Sequence, residues 1–180
     1  MRTKIRWAVG VVIAGLVLSG LTAFPLLPEL DLLASQVSPT GGLGWWIHHV
    51  RDGLAATYEA YPFVAYGTDW LAFGHLVIAM FFVLPWRDPV RHAEVLWVGV
   101  AAAVLVIPFA SVWGAIRGIP LGWRAVDASF GLLCLVPLGL AIRWTRQLAE
   151  RSAGLETGIH RADESRFPQR RSLLGEAASR

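Results

Sequence analysis

The sequence predicts an all-α integral membrane protein: a four-transmembrane-helix bundle with an amphipathic surface helix in the first outer loop. Three observations carry this expectation. Of the 180 residues, 55% are hydrophobic and only 16% charged, against roughly a quarter charged in a soluble domain, and mean hydropathy is +0.51. The apolar residues gather in four blocks, each long enough to cross a bilayer core of about 30 Å. Tryptophan, whose ring has one polar edge and favours the membrane interface, marks the block ends: Trp7, Trp70, Trp86, Trp97, Trp113, Trp123 and Trp144 all fall within about a turn of one.

The membrane domain covers residues 1–146. Span one, about 7–28, follows the basic start "MRTKIR"; its apolar run continues past the length of a cleaved leader, and Leu21 stands where a cleavage site would need a small residue. It is therefore expected to stay on the chain. Spans two, three and four are placed at about 66–85, 95–113 and 123–144. All are read as helices, because lipid cannot satisfy open backbone groups and the runs lack the alternation of barrel strands. Asp88 is expected to cap a helix beginning at Pro89, and Pro108 and Pro137 to kink spans three and four.

Charge sets the orientation. Thirteen of the 16 basic residues lie before span one, between spans two and three, or from Arg143 at the end of span four onward; Arg51, Arg117 and Arg124 remain for the other side. The positive-inside rule then puts both termini in the cytoplasm of a cell inner membrane, and loops 29–65 and 114–122 outside. In loop 29–65, "SPTGG" is a turn, and "LGWWIHHVRDGLAATYEAYP" sets Trp46, Val50, Leu54, Thr57 and Tyr58 against His48, Arg51, Asp52, Ala55 and Glu59. That pattern predicts a helix lying on the outer surface. Residues 147–180 read as a cytoplasmic tail, rich in Arg, Glu, Ser and Gly, that leaves the membrane as a short helical extension and is then largely disordered.

Polar residues inside the spans are the candidate site, since charge in hydrocarbon is costly. Span two carries a stripe, Ala65, Thr68, Ala72, His75, Ala79 and Phe82, at the 3-4 spacing of a packed helix. Its small residues permit close approach, so His75 is expected to face protein. His75 lies roughly 13 Å below Tyr66, and Asp69 about 5 Å, at 1.5 Å per residue. Span four shows a comparable face, Arg124, Asp127, Gly131, Cys134 and Leu138. The sequence reading makes spans two and four neighbours. It gathers Asp69, Asp127, Arg117 and Arg124 into an ion cluster at the outer boundary, with His75 deeper. In that scheme His75, Asp69 and Asp127 handle protons as catalytic candidates, and Arg117, Arg124, Tyr66 and Trp70 bind substrate. The bland alternative is that these groups cap helices or fix their register.

Several classes are excluded. No zinc spacing, phosphate loop, H-E-x-x-H or nucleophile elbow occurs, and the basic residues flank spans rather than forming a nucleic-acid surface. Cys134, the one cysteine, can form no intrachain disulfide. Adjacent His48 and His49 cannot share a helical face, so no metal site is assigned; the cofactor is unknown. "GHLVIAM", Gly74 to Met80, resembles the His-containing segment of the four-helix sterol-isomerase (EXPERA) family. That family carries an acidic residue at the position of Ala79, so the isomerisation the resemblance implies lacks its acid here.

The functional expectation is a small bacterial-type inner-membrane protein with a polar outer-leaflet pocket between spans two and four that binds or modifies a lipid, quinone or isoprenoid. Whether it is an enzyme is left open. The alternative is a non-catalytic accessory subunit docking a membrane-protein partner or a second copy. A proton-coupled transporter ranks below both, because four spans without a repeat give no alternating-access frame.

Overall fold

A computed structural model describes residues 1–166. Among these the chain is all-helical: α1 (Arg2–Ala23), α2 (Leu26–Gln36), α3 (Gly42–Ala60), a 3-10 turn (Pro62–Val64), α4 (Ala65–Arg87), α5 (Ala93–Ile116) and α6 (Leu121–Arg166). Four helical segments are long and apolar enough to cross a membrane: α1, Pro62–Arg87 with α4, α5, and Leu121–Leu155 within α6.

The boundaries differ from the sequence reading in three places. The sequence predicts span one to residue 28, but α1 ends at Ala23 and α2 starts at Leu26. Pro25 has no amide hydrogen to continue α1 and crowds the turn before it, so the helix breaks there and restarts. Asp88 does not cap a helix at Pro89. Its Oδ1 accepts the Arg91 amide at 3.3 Å in a turn, and α5 begins at Ala93. At the other end α6 runs on to Arg166, through the helix formers Gln147, Leu148, Ala149 and Glu150 of the expected tail. Residues 167–180 lie outside the described residues.

The long helices associate as two antiparallel pairs. In the first, Arg6 of α1 bonds the Trp86 carbonyl of α4, and 14 residues further on, Gly20 meets Ala72. Contact therefore runs the length of both helices. In the second, Gly114, Gly131 and Gly99 mark the seam: Gly114 lies under Arg124, Gly131 meets Ala103 and Ile107, and Gly99 meets Leu138. Small residues let these backbones approach. The ring of Phe82, from α4, also lies on Gly99, so α4 reaches the second pair through α5 at that glycine.

One apolar core joins the pairs. It contains Ile5, Val9 and Val12 of α1, Phe82 of α4, Leu96 and Ala103 of α5, and Leu138, Ala141 and Ile142 of α6. All of these lie in the halves of the helices nearest the chain termini, or at mid-helix. In the opposite halves, near α2 and α3, the buried positions of the long helices are small residues at contacts within a pair: Gly20 and Ala72 in one, Gly114 and Gly131 in the other. The molecule thus has a terminal end, beside the start of α1, and a hairpin end, beside α2 and α3.

At the hairpin end α2 and α3 form a helical hairpin. The turn between them is tight. Gly41 has a φ of +93°, and Gly44 sits where any side chain would collide with the Ser38 carbonyl. Arg51 of α3 reaches back to Asp31 of α2 at 2.6 Å and to Asp52 at 2.9 Å. Those two carboxylates, Asp52 foremost, hold the Arg51 guanidinium above its ordinary pKa through their hydrogen bonds. His48 Nε2 donates to the Val37 carbonyl at 3.2 Å, and the Tyr58 hydroxyl meets that of Thr68 at 3.0 Å, tying α3 to α4.

Candidate functional site at the hairpin end

The α4 stripe faces protein. Ala72, Ala79 and Phe82 are 0%, 3% and 6% exposed, and Thr68 and His75 are half-buried. His75 lies where α4 crosses Gly20: a side-chain carbon on that glycine would come within 3.2 Å of the His75 Cβ. Nδ1 of His75 is 2.8 Å from the Leu71 carbonyl oxygen. A carbonyl only accepts, so Nδ1 carries the hydrogen, and in the neutral ring Nε2 keeps an unprotonated lone pair. That nitrogen is the one available for a proton or a ligand.

The other candidates do not converge as the sequence reading had them. α4 packs along α1 and α6 along α5 and α1; α4 and α6 share at most a marginal contact. Among the described residues the ion pairs are those of Arg51, and none joins Asp69, Asp127, Arg117 and Arg124. The stem of Arg124 lies over Gly114, where an added Cβ would come 2.6 Å from its Cγ. Its Nη1 donates to the Ser111 carbonyl at 3.1 Å. Arg124 is thus drawn sideways onto α5 rather than across to α4. Arg117 is exposed where α5 ends. There Gly118, at a φ of +72°, turns the chain so that the Ile119 amide reaches Gly114 at 2.8 Å. Asp69 and Asp127 are half-buried.

Tyr66 and Trp70 turn away from the seam. They are 61% and 56% exposed and form, with Phe73, an edge-to-face ladder with ring centroids 5.9 and 5.7 Å apart. This is the arrangement of an interfacial aromatic belt. His49 stacks on Trp45 at 4.8 Å, so the two loop histidines are engaged with different partners. Among the described residues no three His, Cys, Asp or Glu side chains are grouped to hold a metal.

The sequence reading missed an open crevice of about 240 Å³ where the start of α3 meets the α5–α6 turn, lined by Gly42, Leu43, Trp46, Pro120, Gly122 and Trp123. Its walls are apolar. No side chain caps the first turn of α3, and the buried Nε1 of Trp46 has no partner among the described residues. The sequence carried one usable signal, the paired Gly-Trp segments "GLGWW" and "LGW". Nothing in it says that they meet. Comparison with protein-family models, curated proteins and solved structures returns no match.

Proposed function

We propose that the chain is a multi-pass inner-membrane protein with both termini in the cytoplasm, and that its hairpin end binds a lipophilic molecule such as a lipid, quinone or isoprenoid. The observation that carries this reading is the crevice between α3 and the α5–α6 turn. It combines apolar indole and leucine walls with uncapped backbone amides, a pairing that suits an amphiphile with a polar acceptor head. Arg117 and Arg124 lie on either side of that turn in sequence and supply positive charge. The shared core stops near mid-helix, so the region around Asp69, His75 and Asp127 is the less tightly closed half. There His75 Nε2 is the proton-handling candidate. In this reading the four long helices form the bundle and α3 lies along the outer surface.

The test is purification of the full chain in mild detergent, followed by organic extraction and mass spectrometry of what stays bound. A hydrophobic compound should be retained stoichiometrically by the wild type and reduced at least fivefold in Leu43→Trp, which fills the crevice. Equal retention by a correctly folded Leu43→Trp variant overturns the crevice assignment.

One observation favours the alternative of an accessory subunit. Gly67 and Gly74, one heptad apart on α4, face open space, leaving a face that another transmembrane helix could approach closely. A stoichiometric membrane-protein partner on purification, lost in Gly74→Leu, would select that reading.

A further inference from the structure

We infer that the terminal end is a binding surface for anionic phospholipid headgroups, built from cations that rest on tryptophan rings. It rests on the membrane-spanning helices alone and is independent of the crevice. Residues 1–10, 85–97 and 143–151 contain eight Lys and Arg and three acids, Asp88, Glu94 and Glu150. Asp88 is already engaged with the Arg91 amide. Three of the cations are fixed by aromatic faces. The Arg6 guanidinium lies 5.1 Å from the Trp86 ring centre, Arg146 lies 5.1 Å from that of Trp97, and the Lys4 ammonium lies 6.0 Å from that of Trp144. Each pair joins two helices: α1 with α4, α6 with α5, and α1 with α6. Arg6 Nε also donates to the Trp86 carbonyl at 3.2 Å.

This geometry has a specific consequence. A cation paired with a carboxylate is neutralised, whereas a cation over a ring keeps its full charge and most of its N–H donors. Among the described residues none of these three is paired with an acid. The rings are those of interfacial tryptophans, Trp86 and Trp97 being 38% and 48% exposed, which puts the cations at headgroup depth. The natural counter-ion there is a lipid phosphate. Each cation near an anionic surface contributes about a fivefold preference, so two ordered arginines give on the order of thirtyfold for phosphatidylglycerol over phosphatidylcholine.

The experiment uses the full chain, delipidated in a neutral detergent, with phosphatidylglycerol or phosphatidylcholine added in mixed micelles. Thermal unfolding and native mass spectrometry are the readouts. Phosphatidylglycerol should raise the melting temperature and remain bound, phosphatidylcholine should do neither, and Arg6→Gln/Arg146→Gln should remove most of the difference. Arg6→Lys/Arg146→Lys, which keeps both charges, should restore most of it and guards against a folding defect in the glutamine variant. Equal stabilisation by the two lipids, or a full phosphatidylglycerol effect in the glutamine variant, overturns the inference. Millimolar glycerol phosphate reproducing the shift would also overturn it, marking a free-anion site instead of a lipid surface. Leu43→Trp should leave the phosphatidylglycerol effect intact, so failure at one end is distinguishable from failure at the other.

Discussion

Replacing Gly20 with alanine tests the seam that holds His75. A methyl group there would sit 2.9 Å from the Ala72 carbonyl oxygen, 3.1 Å from a Leu76 methyl and 3.2 Å from the His75 Cβ. The first of these is backbone and cannot swing aside. Restoring ordinary contact requires α1 and α4 to separate by about 0.5 Å, a gap that already forfeits roughly a quarter of each dispersion well it opens. Overpacking of this kind costs about 1–3 kcal/mol. Alanine returns up to about 1 kcal/mol of helix propensity. Gly15 on the same helix is the control, because nothing lies within 4 Å of its added carbon; Gly15→Ala receives the propensity gain without the clash. Unfolding of the full chain by rising SDS fraction in mixed micelles, followed by circular dichroism, should place Gly20→Ala about 1–3 kcal/mol below Gly15→Ala. If the two variants unfold together, α1 and α4 do not pack through Gly20 and the environment assigned to His75 is wrong.

Two further outcomes are expected. Arg51→Ala removes the one side chain that pairs α3 with Asp31 of α2; amide exchange in Leu26–Ala60 should speed up while the global melting temperature stays within a degree or two, and 1 M salt should give the wild type the same exchange pattern because these charges are exposed. In a Cys134→Ala background, cysteine at Ser38 should react with an impermeant maleimide added outside intact cells and cysteine at Ser152 should not; the reverse pattern inverts the proposed orientation.

What the sequence revealed and what it concealed follow from how each residue reports its surroundings. The α4 stripe was legible because alternating small and large side chains at 3-4 spacing mark a face, and Ala72, His75 and Ala79 do lie on the packed side. α1 gave no such mark, being apolar nearly all round, so the role of Gly20 had no trace in its own helix. The break at Pro25 was hidden inside a continuous apolar run. Its signals were there in Pro25 itself and in the acids Glu29 and Asp31 just beyond, which suit the first turns of a new helix. The proposed ion cluster failed for a different reason. Depth along a span can be counted from sequence, but the identity of the neighbouring helix cannot. Asp69 and Arg124 were given a common depth; α4 chose α1 and α6 chose α5, so Arg124 settled its charge on Ser111 and its stem on Gly114.

Asp69 and Asp127, which join no ion pair among the described residues, mark the half of the molecule that is less tightly closed. An ionised acid without a partner is tolerated in a span only near an interface or a wet cavity. Asp69 and Asp127 both lie at the hairpin end, within about two turns of a helix start, and both are half-buried. No acid occupies α1, and none lies in α5 beyond Glu94. The large buried side chains of the shared core, Ile5, Val9, Leu96 and Leu138, occupy the opposite half. One half is therefore closed by the packing of large side chains, while the other holds two half-buried acids and the crevice. A lipophilic guest exchanging between membrane and protein would meet the least resistance at the hairpin end, where its entry disturbs two pairwise contacts and leaves the core that joins all four long helices untouched.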